Sequence, residues 1–245
     1  MKISALLSCS LILSVSCGLQ STFKVITSGS SGVTGSGVVV EETREIASFD
    51  SIKVEGSLSV HLSLGKPGPL RIKAEDNLIP LVIATVKGSE LTLRTEGSYS
   101  TEIGIEVYAT TADIHAIKTS GSTEVSCQGE LTADELNLET SGSSEIQCAM
   151  KAGSLTVIAS GASDLRLSGD VHLLNVQTSG ASTVAAFELF AVEAEINTSG
   201  ASNVAVNAKM LQAHASGASN IRYRGLPEKL TSKDRGAGSI GPEGT

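Results

Sequence analysis

Thr156-Val157-Ile158-Ala159-Ser160-Gly161-Ala162-Ser163-Asp164-Leu165-Arg166-Leu167 is followed, 19 residues on, by Asn175-Val176-Gln177-Thr178-Ser179-Gly180-Ala181-Ser182-Thr183-Val184-Ala185-Ala186, the same pattern in other letters. Apolar and polar residues alternate, Ser-Gly interrupts, and the alternation resumes. Strict period-two alternation marks a strand with one buried face, and a glycine supplies the positive φ of a sharp bend. Ser-Gly recurs at Ser120, Ser141, Ser160, Ser179, Ser199 and Ser216, with spacings of 21, 19, 19, 20 and 17 residues. A period near twenty is that of a solenoid, whose coils bury their apolar faces by stacking on one another.

Alignment on the glycine sorts the side chains. Six residues before it stand Leu136, Leu155, Leu174, Ala194 and Leu211; four before it, Ile117, Leu138, Val157, Val176, Ile196 and Ala213. Four after it stand Val125, Ile146, Leu165, Val184, Val204 and Ile221; six after it, Cys127, Cys148, Leu167, Ala186, Val206 and Tyr223. These columns define an apolar interior. Asn-Gly and Asp-Gly hairpin turns are missing, so identical corners point to parallel coils about 4.8 Å apart rather than to a meander. The expectation is an all-β, single-domain parallel β-helix with coils of about 17–21 residues. The hydroxyls two residues after the glycine (Thr123, Ser144, Ser163, Ser182, Ser202, Ser219) share the inward parity and should form an internal ladder.

Outward from these coils the pattern weakens. Ile52-Lys53-Val54-Glu55-Gly56-Ser57-Leu58-Ser59-Val60-His61-Leu62 reads as a coil with Glu-Gly at its corner, and the 65 residues between Gly56 and Gly121 leave room for about three coils. Asp76 to Ala84 breaks the alternation and reads as a short helix or loop capping that end. Residues 225–245 should cap the other, since an open solenoid end is a sheet edge.

At the N-terminus, residues 1–17 read as an export signal, positive at Lys2 and apolar from Ile3 to Val15. Leu13-Ser14-Val15-Ser16-Cys17-Gly18 resembles a lipoprotein signal cut before Cys17, with an ordinary secretory signal as the alternative. Residues 18–43, with the Gly/Ser run Ser28 to Gly37, read as a tether and lead-in, and 44–245 as the solenoid.

Several motifs in order resemble the putative autotransporter adhesin head GIN domain family: Glu45-Ile46-Ala47-Ser48-Phe49-Asp50-Ser51-Ile52-Lys53-Val54, Ala74-Glu75-Asp76-Asn77-Leu78, the Ser-Gly-Ala-Ser corners, and Arg224-Gly225-Leu226-Pro227 leading to Gly236-Ala237-Gly238-Ser239-Ile240. The likeness covers roughly residues 38–242. It implies a right-handed β-solenoid of an exported bacterial protein, often a lipoprotein, with no catalytic residues established.

Composition narrows the function. With 18 basic against 26 acidic residues and 3% aromatics, the chain lacks both the cationic surface and the stacking rings of a nucleic-acid binder. Glu124, Glu145 and Asp164 share one outward column. Such stacked carboxylates are relieved by a calcium ion or a basic partner, against the plainer reading of a solvated acidic face. Cys127 and Cys148 share an inward column on adjacent coils, open to a disulfide, although free thiols are favoured because in-register parallel strands disfavour the preferred dihedral. No histidine column or zinc spacing exists, and the many serines have no recurring base beside them, so no catalytic residue or cofactor is assigned. Phe187 and Phe190 read as an exposed patch or, better, as packing under a loop. Gly236-Ala237-Gly238 reads as a turn in the tail. The expectation is a non-enzymatic, outer-membrane lipoprotein presenting a surface to a cell-surface protein or glycan or to copies of itself. A polysaccharide lyase and a purely structural envelope protein are the alternatives.

Overall fold

The structure, a computed structural model, describes residues 32–244. The export signal, Cys17 and the first part of the Gly/Ser run lie outside the described residues. From Gly32 the chain forms β1 (Val33–Thr34), β2 (Val39–Arg44), β3 (Ser51–Gly56), β4 (Ser59–Leu64) and β5 (Leu70–Glu75). A 3-10 turn, Ile79–Leu81, leads into β6 (Val82–Lys87), β7 (Glu90–Thr95), β8 (Tyr99–Ser100), β9 (Glu106–Thr111) and β10 (Ala116–Gly121). The long strands β11 (Glu124–Thr140), β12 (Glu145–Ala159), β13 (Asp164–Thr178), β14 (Thr183–Thr198) and β15 (Asn203–Gly217) follow, then β16 (Asn220–Arg224), β17 (Lys229–Gly236) and β18 (Ser239–Pro242).

This is a parallel β-solenoid. Each long strand runs from one Ser-Gly corner to the next, bending midway, and pairs in parallel with the coils before and after it. The four aligned columns point inward as the alternation requires: all are buried except Cys127 and Tyr223, which are partly covered. Each fully buried Leu, Ile or Val contributes about 1.5–3 kcal/mol, so these stacks are the principal source of stability.

The corners explain their own sequence. At Gly161 φ is +80°, and an added Cβ would stand 2.5 Å from the Gly142 carbonyl oxygen. That carbonyl must come close because it accepts the Ala162 N–H at 2.8 Å, a bond repeated from coil to coil along the glycine file. The inward hydroxyls are buried as expected, but their bonding is mostly within a corner. Ser144, Ser163, Ser182 and Ser202 donate to the carbonyl three residues back at 2.9–3.1 Å, and only Thr123 donates to its stacked neighbour, Ser144.

The N-terminal part differs from the expectation. Gly121 lies directly on Gly56, with Ser122 N–H donating to the Gly56 carbonyl, so no coil separates them. The intervening residues pass to the far side of the β3–β4 coil, where β7 pairs with β3 and β9 with β4. There β6 closes on β7, and β2 and β5 continue the β9 edge, all antiparallel. The break at Asp76–Ala84 is the 3-10 turn that plugs this end with buried Leu78, Ile79 and Val82. Arg44 donates to the carbonyls of Ile79 and Val82.

The described part of the Gly/Ser run is laid on the body rather than held as a tether. β1 pairs with β8. Buried Glu75 accepts the Gly37 N–H at 2.8 Å and the Thr101 hydroxyl at 2.5 Å. Asp76 accepts from Ser36, and Asn77 both accepts the Ser36 N–H and donates to the Thr34 carbonyl. A close backbone needs the glycine: a Cβ at Gly35 would collide with the Glu75 carboxylate.

Residues 225–244 are likewise not a separate cap. β17 and β18 add one more coil, whose corner at Gly236 repeats the Ala237 N–H to Gly217 carbonyl bond. Its inward positions read Leu230, Ser232 and Asp234, following Leu211, Ala213 and Ala215. The interior turns polar where the described coils end.

Candidate binding surface

Among the described residues the interior is filled with side chains, so a ligand would meet the outer faces. On the face formed by the strands that precede the corners, the position three before each glycine stacks Ile158, Gln177, Asn197, His214 and Lys233 in register. The position one before it stacks Ser160, Ser179, Ser199, Ser216 and Arg235. Ser160, Ser199 and Ser216 turn their hydroxyls down to threonine carbonyls of the preceding coil at 3.1 Å. Short side chains held low beside longer ones leave a trough of about 600 Å³ running across five coils, parallel to the solenoid axis. His214 on its wall is hydrogen-bonded at 3.2 Å to Gln212, which lies outside the trough.

On the face formed by the strands that follow the corners, Glu124, Glu145 and Asp164 do stack. The chain itself supplies a countercharge to two of them. Arg166 pairs with Glu145 and, at 3.2 Å, with Asp164, while Ser59 donates to Glu124. No group of three His, Cys, Asp or Glu able to hold a metal occurs among the described residues.

Cys127 and Cys148 are joined in a disulfide with a Cα–Cα separation of 4.8 Å, where free thiols were favoured. The objection rested on perfect register, and the register breaks here. Ser126 pairs with Gln147 and Glu130 with Ala149, so Cys127, Gln128 and Gly129 bulge opposite Cys148. A bulge re-aims the side chain.

A cluster that sequence reasoning missed lies on β5, β9 and β4. Arg71, Tyr108 and His61 are register partners, with Arg71 4.7 Å from the Tyr108 ring and His61 stacked on its other side at 4.6 Å. Tyr108 donates to Glu106 at 2.8 Å and Lys73 to the same carboxylate at 3.0 Å. These two donors hold the Glu106 carboxyl below its ordinary range, while the bond to Glu106 raises the Tyr108 and Lys73 pKa values. No periodicity links strands that join out of sequence order, so nothing in the chain announced the cluster. His61 Nδ1 also lies 2.7 Å from Ser126 Oγ. That pair has a base and a hydroxyl, and it sits on a sheet whose backbone N–H groups take part in the strand ladder.

A second trough, about 660 Å³, opens beside the disulfide, with Arg166, Phe187, Glu188 and Arg224 on its walls. Among the described residues the phenylalanines are not packed under a loop. Arg224 caps the Phe187 ring at 4.7 Å, Phe190 is exposed, and only Leu189 between them is buried. Arg224 is fixed by Glu243 and Glu188 at 2.8 and 2.7 Å; it holds the Glu243 carboxyl low and its own pKa is raised in turn.

Comparison with known proteins agrees with this geometry. A family model described as putative auto-transporter adhesin, head GIN domain, matches residues 48–227. No curated protein matches the chain. Among solved structures, a putative adhesin from Bacteroides fragilis superposes with a TM-score of 0.78 at 23% identity, over 86% of this chain and 100% of that one. A putative lipid binding protein from Parabacteroides distasonis gives 0.69 at 20% identity, over 86% and 99%. A putative adhesin from Parabacteroides merdae gives 0.68 at 21%, over 86% and 98%. At these identities the likeness is one of fold.

Proposed function

This chain belongs to the putative auto-transporter adhesin, head GIN domain family, and from that premise we propose that it is a non-enzymatic binding module, exported and held at the bacterial outer membrane through a lipid on Cys17. The observation that carries the reading is the in-register trough over β12 to β17. Coil by coil it presents the amides of Gln177 and Asn197, the imidazole of His214 and the cations Lys233 and Arg235, beside a file of serines, to a ligand lying along the axis. The names of the family and of the similar structures support a binding role. In the trough beside the disulfide, the arginines a lyase would use on a substrate carboxylate, Arg166 and Arg224, are each committed to two carboxylates of the chain itself.

The test expresses the full chain in its bacterial host with and without Cys17→Ala. It follows labelled palmitate, and then the reaction of intact cells with a membrane-impermeant thiol reagent at an engineered surface cysteine, Thr156→Cys. Palmitate incorporation lost in Cys17→Ala, together with labelling of intact cells, is expected. Unchanged palmitate incorporation removes Cys17 as the anchor, and a site that labels only after lysis removes the surface role.

A further inference from the structure

The cations of this acidic protein are not evenly satisfied. On the face that carries the trough, three cations near the N-terminal end are paired, Lys53 with Glu55 at 2.7 Å, Lys118 with Glu90 at 3.1 Å and Arg94 with Glu96 at 2.8 Å, and Lys87 on the outermost strand β6 stands apart from them without an ion pair among the described residues. At the other end of the same face, β17 turns Lys229, Lys233 and Arg235 outward, and none makes an ion pair among the described residues. Asp234, between two of them in sequence, takes the inward parity, since it pairs with buried Ala215. Lys233 and Arg235 close the 600 Å³ trough, and Lys229 borders a second hollow of about 470 Å³ with Gln212 and Glu195.

Resting on the binding reading above, we propose that this trough binds an anionic polysaccharide chain laid along the solenoid axis, its acidic groups on Lys233 and Arg235. Unpaired cations on a chain of net charge −8 select the sign of a ligand locally, without attracting polyanions to the whole surface. The trough beyond them offers Gln177, Asn197, His214 and serine oxygens at one set per coil. Four inter-strand steps of about 4.8 Å give a path of roughly 19 Å. A sugar residue advances an extended glycan by a similar step, and its hydroxyls both donate and accept, as amides and imidazole do. A membrane surface is a poorer fit, because Ile158 is the one large apolar side chain exposed along the trough and three cations make a weak anchor. Nucleic acid is a poorer fit still, for want of stacking rings.

The test measures binding of the full chain, in neutral detergent, to polygalacturonate, chondroitin sulfate, dextran and phosphatidylglycerol vesicles. Two variants address the trough: Lys233→Gln/Arg235→Gln, and Asn197→Phe, which fills its middle without altering charge. Lys66→Gln/Lys87→Gln controls for charge elsewhere, and thermal melts establish that each variant is folded. At least one of the two acidic glycans is expected to bind, dextran to bind far more weakly, and affinity to fall at least tenfold in both trough variants while the control is unchanged. Added salt should weaken binding. Equal binding of dextran, equal loss in the control, or indifference to both trough variants overturns the inference. Binding to vesicles but not to glycans also overturns it. Failure on all glycans overturns the inference as well, while labelling of intact cells at Thr156→Cys still supports the surface reading on which it rests; failure of both removes that reading too.

Discussion

The coils from Gly121 to Gly217 and the N-terminal end use the same residues for opposite kinds of neighbourhood. In the coils, a residue's partner above and below is the one about twenty positions away. In the N-terminal end, Gly56 meets Gly121, and β7 and β9 lie on the far side of the coil that precedes them in sequence. Regular coils need a repeating corner, so the sequence there repeats. The end needs to stop a sheet, and it does so with antiparallel strands and a plug of Leu78, Ile79 and Val82, for which no repeat is required.

The largest expected effect separates the two regions at their glycines. Gly161→Val places a β-branched residue at φ +80° against a carbonyl 2.5 Å away and strains the Ala162 bond to Gly142. Backbone strain, overpacking and a weakened hydrogen bond together cost about 4 kcal/mol or more. Gly97, the corner of the β7–β9 coil, also has positive φ, +75°, but nothing lies within 4 Å of an added Cβ. Gly97→Ala should therefore cost only the left-handed backbone term, about 1–2 kcal/mol. Urea denaturation of both variants checks this. Equal losses would mean that close stacking of corners contributes nothing beyond φ.

The same contrast governs what could be read in advance. The inward columns, the corner glycines and the Glu124–Glu145–Asp164 stack all follow from one alignment, because register converts sequence spacing into contact. The clamp of Glu75, Asp76 and Asn77 on residues 34–38 and the Arg71–Tyr108–His61 stack depend on which strands meet after the chain doubles back. Alternation marks each strand there but is silent on its neighbour. The trough falls between: its rows were legible as polar outward positions, yet its depth comes from serine hydroxyls turned down to carbonyls, which is rotamer geometry and not pattern.

A middle-sized effect is expected where the regular half loses its register. The disulfide ties the bulge at Cys127 to the next coil across 21 residues. Cross-linking a loop of that length contributes about 3 kcal/mol in the chain-entropy account. Cys127→Ala/Cys148→Ala, or reduction of the native chain, should lower the urea midpoint by a corresponding amount under otherwise oxidising conditions. Thiol labelling mapped to Cys127 and Cys148 in the denatured, unreduced protein would show that the bond is not formed.

The smallest effect on stability should carry the largest change in association. The two ends of the described solenoid are protected differently, one by antiparallel strands and the other by chemistry. In β17 the inward file passes from Leu211, Ala213 and Ala215 to Leu230, Ser232 and Asp234, with Pro242 removing an N–H from β18. An inward-pointing charge on an edge coil disfavours pairing with another edge, since a stacked copy would have to bury it unpaired. Asp234→Val removes the charge from that file in an exposed strand, where a single change alters folding stability by no more than about 0.5 kcal/mol. The melt should barely move, while sedimentation velocity should reveal dimers or longer stacks growing with concentration. A variant that stays monomeric at every concentration would show that the polar end is not what keeps copies apart, and that the unpaired strand edge is guarded by its short length and proline alone.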